Sequence, residues 1–113
     1  MLVVVSDLFF LARIRATASA LGVAIEEATV ASAHERCAAA PPALLILDLH
    51  AAGDPLAQVR RLKAEAGTRR VPVVGFYSHV DNATRAAALE AGVDRVLPRS
   101  AFTAKLAEIL GGG

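Results

Sequence analysis

Residues 43–50 read Ala-Leu-Leu-Ile-Leu-Asp-Leu-His, an apolar run with one carboxylate, Asp48, near its end. Pro41 and Pro42 precede it, and Gly53, Asp54 and Pro55 follow. A continuous apolar run of this length between such breakers is the signature of a strand buried on both faces, as in the middle of a parallel sheet. Ligands and chemistry in open parallel sheets collect outside the carboxyl ends of the strands, which is where Asp48 stands.

On either side of this stretch the chain repeats one pattern five times: a short apolar run, a polar junction, then a segment at helical spacing. The first strand is expected at about Leu2–Val5. The first helix is expected over Leu8–Leu21, with Leu8, Leu11, Ile14, Ala18 and Leu21 on its apolar stripe and Gly22 as its stop. A second strand follows at about Val23–Ala28, and Ser32 with Glu35 has the spacing of a capping box that opens a short second helix. Asp54 and Pro55 read as N-cap and first residue of a third helix running toward Gly67 through Leu56, Val59, Leu62 and Lys63. The fourth strand is Val71–Tyr77. Asp81 is placed to cap an alanine-rich fourth helix closed by Gly92. A short strand at Asp94–Leu97 leads to a fifth helix, capped by Ser100, with Phe102, Leu106, Ile109 and Leu110 as its stripe. Gly111–Gly113 reads as a flexible tail.

Strands separated by helical segments of this length imply right-handed crossovers and a parallel sheet covered on both faces. The fold class is therefore α/β: a doubly wound, flavodoxin-like (βα)5 sandwich over residues 1–113, with strand order 2-1-3-4-5. Helices one and five are expected on one face, helices two, three and four on the other. The switch point lies between strands one and three, which puts Ser6 and Asp7 beside Asp48. Two neighbouring carboxylates either repel each other into a shifted pKa or share a hard cation such as magnesium. The plainer role for each is to cap the helix that follows it.

Composition narrows the classes. Twelve basic and eleven acidic residues leave a net charge of +1, and no basic run is long enough to mark a nucleic-acid surface. The opening apolar residues are interrupted by Asp7, Arg13 and Arg15, so they form neither a signal peptide nor a membrane span, and a cytoplasmic location is expected. The lone Cys37 rules out an internal disulfide and a cysteine-rich metal site; it reads as a small buried hydrophobe. A flavin or dinucleotide enzyme would need a small-residue loop where bulky Leu8-Phe9-Phe10 stands. A cysteine phosphatase would carry its nucleophile in that loop, and a haloacid-type phosphatase would have two aspartates there. Phe9 and Phe10 are adjacent and cannot both face a core, so one is expected to form an apolar patch. His50 and His79 follow strands at the same expected edge, whereas His34 does not.

Over essentially its whole length the chain resembles the receiver domain of bacterial two-component response regulators, the single-domain kind similar to the chemotaxis receiver. The resemblance rests on Ser6-Asp7 after strand one, Leu44-Leu-Ile-Leu-Asp-Leu49, and the loop through Gly53-Asp54-Pro55. Further along, Val71-Pro-Val-Val74, His79-Val-Asp81, Ala91-Gly-Val-Asp94 and Val96-Leu-Pro-Arg99 continue it. The resemblance implies a phosphorelay switch. Asp48 would be the phosphoacceptor, and magnesium would be held by Asp7, Asp48, the His50 carbonyl and, weakly, Ser6. A hydroxyl near the end of strand four and a cation after strand five, here Tyr77 or Ser78 and Arg99, would contact the phosphoryl group. Implied partners are a sensor histidine kinase or phosphotransfer protein and a downstream protein target, met on the face of helix four, strand five and helix five. A homodimer is allowed; direct nucleic-acid and membrane contacts are not expected, and no enzymatic activity beyond self-phosphorylation and dephosphorylation at Asp48 is implied.

The departures define the alternative. Ser6 replaces the first acid, Tyr77 stands where a small hydroxyl residue is expected, Arg99 replaces a lysine, and Val96 replaces a rotating aromatic. An arginine fork does not reproduce a lysine point contact. A pseudo-receiver that binds proteins without phosphorylation is therefore the second reading.

Overall fold

The computed structural model describes residues 1–78 and 82–111. Its five-stranded parallel sheet has the order β2-β1-β3-β4-β5. The strands are β1 (Leu2–Val4), β2 (Glu26–Glu27), β3 (Leu45–Asp48), β4 (Val73–Tyr77) and β5 (Arg95–Pro98). The helices are α1 (Leu8–Leu21), α2 (Ala33–Ala39), α3 (Pro55–Ala64), α4 (Asn82–Ala91), α5 (Arg99–Ala104) and α6 (Leu106–Leu110). The expected fold class and strand order hold.

The pleat explains why the central run is apolar throughout, since successive side chains of a strand leave on opposite faces. Leu45 and Leu47 join one core with Ala33, Cys37, Val59, Leu62 and Ala88 from α2, α3 and α4. Ile46 joins the other with Ile14 of α1, Phe102 of α5 and Ile109 of α6. β4 divides the same way: Val73 and Tyr77 serve the first core, Val74 and Phe76 the second. Gly75 lies on the first face, where a Cβ would come within 2.8 Å of a Leu49 side-chain carbon. Cys37 is fully buried, and burial pushes its thiol pKa up, in keeping with a packing role.

Several boundaries differ from the reading of the sequence. On α1 it is Phe10, not Leu8 or Leu21, that completes the buried stripe, and those two leucines are exposed. β2 is only two residues, because it lies at the sheet edge with β1 as its one partner. Its two glutamates are held by Arg36 and Arg15, a charged edge of the kind that resists edge-to-edge pairing. Ser32 makes no cap bond to α2; its hydroxyl engages Thr29 instead, so the capping box does not form.

Asp54 does cap α3, accepting from the Ala57 N–H. That helix ends at Ala64 rather than near Gly67, and the buried Thr68 hydroxyl donates to the Leu62 carbonyl at 2.8 Å. Ser100 lies within α5, which starts at Arg99 with Pro98 at the cap position, and a break at Lys105 splits the expected fifth helix in two. Its stripe of Phe102, Leu106, Ile109 and Leu110 is buried as expected. The proposed cap Asp81, His79 and the tail residues Gly112 and Gly113 fall outside the described residues.

Candidate functional site

β1 and β3 are neighbours, with Val4 opposite Leu47, so their carboxyl ends open onto the same edge. Asp7 leaves β1 as the N-cap of α1. Its Oδ1 accepts from the Phe9 N–H at 3.0 Å and the Phe10 N–H at 3.1 Å, taking up donors that the first helical turn cannot satisfy. Its Oδ2 accepts from Arg99 Nη2 at 2.7 Å, an ion pair between positions 92 residues apart. The Arg99 guanidinium also lies 4.2 Å from the centroid of the Phe10 ring, within cation–π range. Phe10, Phe76 and Phe102 form a mutual aromatic cluster beneath it, with centroids 4.8 to 5.7 Å apart.

This pair holds the Asp7 carboxyl below its ordinary pKa of 3.8, chiefly through the Arg99 hydrogen bond and then the Phe10 N–H. The folded chain therefore binds this proton less readily than the unfolded chain. The associated stability is fully present above the ordinary value and is lost as pH falls through the lowered one. Urea unfolding followed downward from pH 5 should show wild type losing stability more steeply than Asp7→Asn below about pH 4. Parallel curves would show that the ion pair contributes nothing in solution.

Asp48 ends β3 opposite Phe76 and is half-buried. Its Oδ1 accepts from the His50 N–H at 2.9 Å, and Leu49 continues the pairing by donating to the Phe76 carbonyl at 3.0 Å. His50 itself is exposed. Ser6 is exposed and lines a cavity of about 300 Å³ with Val4, Val5, Ala28, Thr29, Val30, Ala51 and Ala52. Tyr77 is buried in the core under α2, α3 and α4, which it shares with Val96. Ser78 is exposed at the end of β4.

Among the described residues the structure thus joins Asp7 to Arg99 and to no other charged side chain. Among the described residues no group of three or more His, Cys, Asp or Glu side chains is placed to hold a metal. Both oxygens of Asp7 have donors, and one donor is itself a cation. Among the described residues Asp48 has no cationic partner. Magnesium keeps several waters and takes one or two carboxylates; here one Asp7 oxygen is already held by the Arg99 cation. The Asp7–Arg99 pair and the aromatic cluster were not legible in the sequence. The bulky Phe9-Phe10 step after Asp7 was the available signal, and it resolves into a buried Phe10 and an exposed Phe9.

No protein-family model matches the sequence, and no curated protein matches it. Solved structures do. The receiver domain of sensor histidine kinase PA1611 from Pseudomonas aeruginosa, solved with magnesium coordinated in its active-site cleft, superposes with a TM-score of 0.83 at 22% identity, covering 96% of this chain and 91% of that one. A response-regulator receiver domain from Bermanella marisrubri gives 0.81 at 23% identity, covering 98% and 93%. The phosphorylated cyanobacterial phytochrome response regulator RcpA gives 0.76 at 19%, covering 98% and 87%. The fold is that of response-regulator receiver domains. No helix among the described residues is long and apolar enough to cross a membrane.

Proposed function

We propose that this receiver-fold chain is a signalling module of the two-component type that acts by binding proteins and does not depend on aspartyl phosphorylation. The observation that carries this is the Arg99–Asp7 pair. A guanidinium bonded to Asp7 and stacked on Phe10 supplies from within the chain the positive charge that a metal would bring. Ser6 in place of an acid and the burial of Tyr77 support the same reading, because each removes a group that the phosphoryl chemistry of the resemblance requires. The proposed output surface is the face of α4, β5 and α5, including Arg85, Arg95 and Lys105; its partners would be a kinase-side protein and a downstream target.

One observation favours phosphoacceptance instead. Asp48 sits at the carboxyl end of the central strand with no cation on its carboxylate among the described residues, the position from which a carboxylate could attack a phosphodonor. One experiment separates the readings. Native protein incubated with acetyl phosphate and magnesium should gain no phosphate by intact-mass spectrometry, and a Ser6→Asp, Tyr77→Thr, Arg99→Lys variant should gain one. Phosphate on the native protein that disappears in Asp48→Asn would overturn the proposal.

A further inference from the structure

We infer that the outer face of α3 and the turn after it form a docking surface for an acidic segment of a partner protein, at a site separate from Asp48. Val59 and Leu62 face the core, so Arg60 and Arg61 point outward, with the small Ala64 following at helical spacing from both. Beyond Glu65 the chain turns back on the helix end, where Arg69 N–H donates to the Glu65 carbonyl at 2.9 Å. Lys63 Nζ, from the last turn of α3, donates to the Arg69 carbonyl at 3.3 Å and the Val71 carbonyl at 2.9 Å. With Thr68 tied to Leu62, exposed Arg69 and Arg70 ride on a braced turn at the C-terminal end of the helix that carries Arg60 and Arg61.

The charges of this patch are not balanced locally. Residues 60–70 contain five of the chain's twelve basic residues and a single acid. That acid, Glu65, is bonded to His34 of α2, and Lys63 is committed to Asp94. None of the four arginines has a side-chain hydrogen bond or ion pair among the described residues, whereas Arg15, Arg36 and Arg99 are all paired. The helix dipole rewards cations in the last turn, which are Arg61 and Lys63. It does not account for Arg60, Arg69 and Arg70.

Arginine indicates an oxyanion partner, because its planar fork binds a carboxylate or a phosphate group through two parallel hydrogen bonds. A nucleic acid fits less well. The large exposed apolar side chains are Leu8, Phe9, Leu21 and Leu89, so no aromatic platform for base stacking lies in this region.

The test is fluorescence anisotropy of the full chain with a short fluorescein-labelled polyglutamate peptide. Arg60→Glu, Arg61→Glu, Arg69→Glu and Arg70→Glu combined should weaken binding roughly tenfold or more, since rim and patch charges govern such encounters. Reversals at Arg13 and Arg15, both exposed on α1, should leave binding unchanged. All four arginine positions are solvent-facing, and circular dichroism of the variant checks that it folds. Absence of peptide binding, equal loss in the control reversals, or tighter binding of a charge-matched oligonucleotide or anionic lipid vesicle would overturn the inference. The outcome is independent of whether Asp48 accepts phosphate.

Discussion

Replacing Phe102 with alanine is expected to lower the free energy of unfolding by about 3–5 kcal/mol, the usual cost of emptying a buried aromatic site. Phe102 is fully buried and stacks on Phe76 at 4.9 Å, with Phe10 5.7 Å away. It is the residue through which α5 closes the face made by α1 and the sheet. A domain of ordinary stability has only about 5–15 kcal/mol in total, so the variant would stand close to the folding threshold. The loss should extend to the candidate site, since Phe10 supports the Arg99 guanidinium and would lose one of its two ring partners. Phe9→Ala serves as the contrast: that ring is 91% exposed, and its removal should change stability by no more than about 0.5 kcal/mol. Urea unfolding of both variants measures the pair. A Phe102→Ala loss below about 1 kcal/mol would mean that the cluster repacks freely.

The second large effect is expected at Lys63, at the opposite end of the sheet. Its side chain is 21% exposed, and its ammonium donates to the Arg69 and Val71 carbonyls and to Asp94 Oδ2 at 3.0 Å. The same Asp94 oxygen accepts from the Val73 N–H at 2.8 Å. One lysine therefore joins the end of α3 to the starts of β4 and β5. Its stem passes close to Gly92, where φ is +108° and a Cβ would meet Lys63 Cγ at 2.7 Å, so glycine is required there on both counts. Lys63→Met keeps most of the stem and removes all three donors. The expected loss is about 2 kcal/mol, the scale of leaving partly buried acceptors without partners; the half-exposed Asp94 keeps the figure from being larger. Asp94→Asn, which retains an acceptor for Val73, should cost less. Hydrogen exchange at Val73 should accelerate in Lys63→Met, and unchanged protection there would refute the bracing role.

Much of the architecture was already written in local patterns. The apolar run at Leu45–Asp48 is buried on both faces because helices cover both sides of a parallel strand, and that requirement acts on every residue of the run. Gly22 and Asp54 mark helix ends because the unsatisfied backbone groups of a helix terminus need partners within a few residues. Where the reading failed, a competing contact had displaced the expected one. Ser32 turns to Thr29 rather than capping α2. Leu8 fits the helical stripe in sequence yet is 77% exposed, while Phe10 and Leu11 are the first residues of α1 to reach the core.

The candidate site divides along the same line. Sequence by itself determined that Asp7 and Asp48 end neighbouring parallel strands, since periodicity sets the strands and the handedness of crossovers sets their order. Only the tertiary structure decided what Asp7 does there. Arg99 is 92 positions away, and its meeting with Asp7 depends on α5 packing against α1 through Phe10, Phe76 and Phe102. The four arginines around α3 were equally visible as letters, but that none has a partner among the described residues follows from Glu65 turning to His34 and Lys63 turning to Asp94. Such choices among partners are made by packing, because charged side chains of similar reach differ in energy only by the geometry the fold imposes on them.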